Sequence, residues 1–152
     1  MARGRRTSGS SRPFAPAWAS ALSQAELDTV RRIYESWNGP EGMAAALPLF
    51  DPAVEYVNPE SAIERGVRRG HDGMVEVLDA IDGSFADYVH EVEQLVDAGE
   101  KILAYVIFRA RGRDSGALVE KREQHVWTLR NGKVVRFEWF HDGPAARVAA
   151  GL

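Results

Sequence analysis

From Leu27 onward, apolar residues recur every three or four positions. Leu27, Val30, Tyr34 and Trp37 make one stripe, with Ile33 beside it. This period predicts an amphipathic helix. Ser23-Gln24-Ala25-Glu26 has the form of a capping box and places the helix start at Ser23. Asn38-Gly39-Pro40 supplies the stop. A short second helix is expected over 41–50, weakened by Pro48, and Asp51-Pro52 then turns the chain into a strand over 54–57, closed by Asn58-Pro59. Residues 60–70, rich in Gly and Arg, read as a loop. A third helix is expected from about Asp72, with Met74, Val77, Leu78 and Ile81 on its inner face. After Gly83 the period falls to two, and strands are predicted over 85–96, 101–111, 118–129 and 133–141. Asn131-Gly132 between the last two is the strongest hairpin signal in the chain. Asp142-Gly143-Pro144 leads into a short Ala-rich helix. Helices followed by a long antiparallel meander define an α+β domain rather than the alternation of a parallel sheet.

Composition narrows the picture. The 152 residues suit one domain, and 45% hydrophobic residues suffice for one core. The absence of cysteine excludes disulfides, thiolate nucleophiles and Cys-ligated metals. Four scattered histidines, with no His-x-His or His-Glu-x-x-His spacing, give no metal signal. Phosphate-binding glycine loops are absent as well. No apolar run has the length of a membrane span and no secretory signal is seen, so a soluble cytoplasmic protein is expected, without membrane contact. Residues 1–20 carry Arg3, Arg5, Arg6 and Arg12 and no acid, and read as a flexible extension ahead of a domain over 21–152. The remainder holds 15 basic against 22 acidic side chains, a net charge near −7. A basic arm on an acidic body is more often solvated than bound, so nucleic acid is not the expected partner.

Several segments together resemble the SnoaL-like branch of the NTF2-like superfamily. They are Tyr34-Glu35-Ser36-Trp37-Asn38, Leu49-Phe50-Asp51-Pro52-Ala53-Val54-Glu55-Tyr56, Arg69-Gly70-His71-Asp72-Gly73, 125–135 from His125-Val126-Trp127 through Asn131-Gly132, and the ending Ala149-Ala150-Gly151-Leu152. The resemblance implies a cone of about three N-terminal helices packed on a curved, mainly antiparallel sheet that encloses a pocket. It implies a homodimer through the outer sheet face, and no cofactor. It does not imply one reaction, because the family includes isomerases, cyclases, dehydratases, epoxide hydrolases and proteins without known catalysis. Ketosteroid isomerases place their base and oxyanion-hole groups where this chain has Asn58, Gln124 and Ile33 (Tyr34 is adjacent to the last), so that mechanism is not expected. Limonene epoxide hydrolases hold water with a Tyr-x-Asn pair, matched by Tyr56-Val57-Asn58. Their remaining acids fall on positions near Arg109 and Trp139. SnoaL-type cyclases use an acid in the last strand, at Glu138-Trp139 here.

Strand alternation then assigns faces. Leu103, Tyr105, Ile107, Arg109 and Arg111 share a side of the second strand of the meander, and Arg122, Gln124, Val126 and Thr128 share one of the third. Phe137, Trp139 and His141 share one of the fourth. All are expected toward the pocket with Trp37, Tyr56 and Asn58, and Glu123, His125, Trp127, Glu138 and Phe140 away from it. A slip of one residue exchanges the faces. Arg109 either holds a substrate oxyanion or pairs with a carboxylate such as Glu120. His141 is either an acid/base or a strand-end residue. Glu138 is a candidate acid/base if register allows. His125 is expected to be structural, and His90 to face solvent. The expected site is therefore Arg109, Glu138 and His141 for catalysis, with Trp37, Tyr56, Asn58, Tyr105, Ile107, Gln124, Phe137 and Trp139 around a small hydrophobic molecule. Two functions stay open: acid/base chemistry of the isomerase, cyclase or dehydratase type, or a noncatalytic ligand-binding or dimerisation module. Epoxide hydrolysis is a weaker alternative.

Overall fold

The computed structural model describes residues 17–152. Of the extension expected over 1–20, positions 1–16 lie outside the described residues, and 17–20 belong to the first helix, α1 (Ala17–Trp37). The capping box is a correction. Because α1 begins six residues before Ser23, the amides of 23–26 lie inside the helix and need no side-chain cap. A 3-10 helix, Met43–Leu49, contains Pro48 and leads into β1 (Phe50–Asn58). β2 (Gly66–Arg69) lies within the stretch expected to be a loop. It pairs antiparallel with β1, Tyr56 opposite Arg68. α2 (Gly70–Ser84) follows, and β3 (Phe85–Asp97), β4 (Lys101–Gly112), β5 (Leu118–Arg130) and β6 (Lys133–Phe140) form the meander. The short α3 (Gly143–Ala149) is capped by the Asp142 side chain, which accepts from the Ala145 amide. Among the described residues no helix is long and apolar enough to cross a membrane.

One six-stranded sheet runs β2-β1-β6-β5-β4-β3. Its neighbours are antiparallel except β1 and β6, which run parallel and bring the start of the fold against its end. α1 and α2 cover one face. The main core lies there, with Val30, Ile33, Tyr34 and Trp37 of α1 and Met74, Val77 and Leu78 of α2 buried against Tyr56, Ile102, Ala104, Val106, Trp127 and Phe137. α3 packs on the opposite face, where Ala146 and Ala150 meet Leu103 and Val126.

The β5–β6 hairpin decides which side chains meet the helices. Asn131 and Gly132 both take positive φ, 53° and 77°, as a tight two-residue hairpin turn requires. Arg130 pairs with Lys133 and Leu129 with Val134, but the next pair is Thr128 with Arg136. Val135 is thus an extra residue, a β-bulge, and beyond it Trp127 faces Phe137 and His125 faces Trp139. An uninterrupted hairpin would have paired Val126 with Phe137, which is the arrangement the sequence pattern suggested. The bulge moves β6 by one position against β5 and so exchanges the faces of β4 and β5 relative to β6.

Candidate functional site

Between the two covering helices and the sheet lies a cavity of about 180 Å³. Its wall is largely aromatic: Trp37, Tyr56, Phe85, Phe108, Phe137 and Trp139, with Ile81. His90, Lys121, Glu123 and His125 are its polar members. A wider mouth of about 450 Å³ shares Tyr56, Ile81, Phe85, Lys121 and Trp139 with it and adds Asn58, His141 and residues 61–64 of the β1–β2 loop. This is an enclosed apolar site with few polar groups, the usual form of a small-molecule pocket. A larger groove of about 580 Å³ runs between α1 and the edge strand β3, but exposed residues such as Arg31 and Glu35 form much of its wall.

The polar groups form a chain. Trp127 Nε1 donates to the Tyr34 hydroxyl at 3.0 Å, and that hydroxyl lies 2.6 Å from His125 Nδ1. His125 Nε2 in turn lies 2.9 Å from Glu123 Oε2. An indole N–H only donates, so the Tyr34 oxygen accepts from it and its own proton goes to His125 Nδ1. The imidazole proton is then on Nε2 and is donated to the Glu123 carboxylate. That assignment leaves every member of the chain partnered. His125 is 1% exposed and the Glu123 side chain 12%, so the carboxylate is held in largely desolvated surroundings. Burial alone would raise its pKa. The hydrogen bond from His125 and the electrostatic influence of His125, His90 and His141 outweigh it, and the net shift is downward. Glu123 therefore stays an anion beside apolar rings.

Other groups are tuned by burial. His90 is pushed down to about 3, by burial first and then by His125. The Tyr34 and Tyr56 hydroxyls are both pushed up, chiefly by burial. Asn38 reads the His90 backbone twice, donating to its carbonyl at 2.7 Å and accepting from its amide at 2.8 Å. Two buried atoms on the cavity wall, Trp37 Nε1 and His90 Nδ1, have no hydrogen-bond partner. At the mouth, Asn58 accepts from Trp139 Nε1 at 2.6 Å and donates to the Glu64 carbonyl at 2.8 Å, tying the cavity wall to the loop.

The structure gathers one part of the expected site and disperses the rest. Trp37, Tyr56, Phe137 and Trp139 line the inner cavity, and Asn58 and His141 the mouth. Tyr105, Ile107, Arg109 and Gln124 lie on the opposite face of the sheet, in the register Tyr105 with Gln124 and Ile107 with Arg122. Arg109 there pairs with Glu91 and with Glu120, the latter at 3.2 Å. Glu138 shares that face, opposite Val126, and binds Arg136 at 3.2 Å. Glu138 faces away from Phe137 and Trp139 in either register, and for the residues of β4 and β5 the shift at Val135 is the reason. It also brings His125 and Glu123 inward, where the pattern had placed them outside. His90, expected to face solvent, is 5% exposed, because it pairs with Phe108 on β4 and shares the inner face of β3 with Tyr88, against Phe108 and Trp37. The signal for the missed pair was Glu123-x-His125, a carboxylate and an imidazole on one side of an apolar strand.

Fold and cavity define a class: a cone-shaped α+β domain with an enclosed aromatic pocket and an acid–imidazole pair inside it. The family model for the SnoaL-like domain matches residues 30–137, and the chain belongs to that family. Uncharacterized proteins of Mycobacterium bovis and Mycobacterium tuberculosis are 31% identical over 126 residues, covering 80% of this chain and 92% of theirs. Among solved structures, an NTF2-like protein of unknown function from Burkholderia pseudomallei superposes with a TM-score of 0.69 at 21% identity, over 84% of this chain and 98% of that one. TerC co-crystallized with polyporic acid gives 0.69 at 20% identity, over 84% and 99%. A candidate SnoaL-like polyketide cyclase from Jannaschia gives 0.68 at 16% identity, over 84% and 91%. These likenesses establish the fold.

Proposed function

We propose that this protein is a cofactor-independent acid/base enzyme of the isomerase, cyclase or dehydratase type, acting on a small hydrophobic molecule with Glu123 as the base. One observation carries the proposal: the Glu123 carboxylate, backed by His125, stands largely buried in an aromatic cavity. A base in such a place takes a proton from a bound carbon acid without first shedding a hydration shell. His125 holds the carboxylate in one orientation through Nε2, and Tyr34 and Trp127 fix the imidazole in turn. Trp37 Nε1, a donor without a partner on the same wall, suits an oxygen atom of the substrate. The likeness to a candidate polyketide cyclase is consistent with such chemistry.

The test uses 1-tetralone, a small aromatic ketone with exchangeable protons beside its carbonyl, in deuterated buffer followed by NMR. The wild-type protein is expected to speed exchange. Glu123→Gln, which keeps the shape and removes the base, is expected to lose about 100-fold or more of that acceleration while remaining folded by circular dichroism. Equal exchange in wild type, variant and buffer overturns the proposal and leaves a ligand-binding module.

A further inference from the structure

We propose that Lys121 is the anchor for an anionic group of the ligand, so that this site takes an aromatic or alicyclic organic acid, ring system inward and anion at the rim. The inference rests on the cavity being the substrate site and adds the ligand's chemical class and orientation.

Lys121 lies on the same side of β5 as Glu123 and His125, two residues further out, and faces Phe108 across the β4–β5 ladder. It belongs both to the wall of the inner cavity and to the wall of the mouth, at the junction of the two. Among the described residues it makes no ion pair and no side-chain hydrogen bond. The arginines of the neighbouring ladder differ. Arg109 pairs with Glu91 and Glu120, Arg111 with Asp87 and Arg122 with Glu93. All of these lie on the opposite face, so the cation on the pocket side is the one left without a carboxylate.

The remaining charges set the orientation. The inner end already holds an anion, Glu123, whose strong partner is His125. A second carboxylate placed there would be repelled and would lose its hydration, whereas at the rim it meets the Lys121 ammonium with water still at hand. His141, packed edge-on against Trp139 at 5.0 Å, adds a second donor at the mouth. Glu64 is the acid on the rim, and its exposed side chain leaves its charge screened by solvent. Inward from Lys121, the rings of Tyr56, Phe85, Phe108, Phe137 and Trp139 offer flat apolar walls that fit an unsaturated carbon skeleton.

The experiment compares 2-naphthoate with 2-naphthamide, which has nearly the same shape and no charge, by quenching of tryptophan fluorescence and by calorimetry. Wild type is expected to bind the acid about tenfold more tightly than the amide. Lys121→Met is expected to bring the acid to the affinity of the amide while leaving the amide unchanged, and Lys121→Arg to keep the preference. Glu123→Gln is expected to retain it too, which separates this inference from the base assignment, since that variant loses exchange and not anchoring. Equal affinity of acid and amide in wild type, an undiminished preference in Lys121→Met, or no binding of either ligand each overturns the proposal.

Discussion

Tyr34 serves two neighbours with one hydroxyl, accepting from Trp127 Nε1 and donating to His125 Nδ1. Its ring also packs edge-on against Trp37 at 5.6 Å and against Trp127 at 5.3 Å. Tyr34→Phe keeps the ring and strands two buried polar atoms, so the cost is the desolvation of both rather than one average hydrogen bond. Urea denaturation is expected to show a loss of about 2–4 kcal/mol with an unchanged m-value. A loss below about 0.5 kcal/mol would mean that water or a shifted side chain replaces the hydroxyl, and the chain to Glu123 would not be rigid. At this scale the sequence was half legible. The stripe of α1 announced Tyr34 and Trp37 as interior, because helical period is a local property. Their partners His90 and His125 could not be read the same way, since which face a strand residue takes depends on pairing elsewhere.

At the scale of elements, that dependence is concentrated in Val135. The strands of the meander, the Asn131-Gly132 turn and the α2 stripe follow from period and turn chemistry alone, and they are where the pattern placed them. Three features were not legible. β2 is four residues with two arginines and exists because β1 offers it a ladder. The start of α1 lies upstream of an apparent cap. The bulge at Val135 leaves no mark in composition, yet it turns Glu123 and His125 to the same side as Phe137 and Trp139. Deleting Val135 would allow an uninterrupted hairpin, which puts either Phe137 and Trp139 on the outer face or Trp127 and His125 there. Either choice exposes large buried rings, so the deletion is expected to abolish cooperative thermal unfolding, a cost above about 4 kcal/mol. Val135→Thr, which keeps the residue count, is expected to melt within a few degrees of wild type. A cooperative, near-native melt of the deletion would mean that the register is set from β1 rather than from the hairpin.

At the scale of the whole molecule, the polar groups buried inside the cone make its stability depend on pH above the range where carboxylates titrate. His90 is held neutral in the fold, pushed down to about 3 by burial and by His125, whereas in the unfolded chain it takes up a proton near the ordinary value of about 6.5. The unfolded state therefore binds more protons between these limits. Stability from this group is complete above about pH 6.5 and is lost as pH falls, at close to 1.4 kcal/mol per pH unit. The depressed pKa of Glu123 acts in the same direction but only below the ordinary carboxylate range, as its contribution is lost when the carboxylate protonates. The two windows separate the two groups. Between pH 6.5 and pH 5, wild type is expected to lose about 2 kcal/mol in urea denaturation that His90→Gln does not lose. The remaining histidines, His71, His125 and His141, are unchanged in that variant, so the difference between the two profiles belongs to His90 and to whatever it exchanges with His125 and Glu123. Parallel profiles would mean that His90 takes up its proton in the folded state, which requires the cone to open to water at β3. In that event the aromatic cavity is not the dry site that a carboxylate base needs, and the case for Glu123 weakens with it.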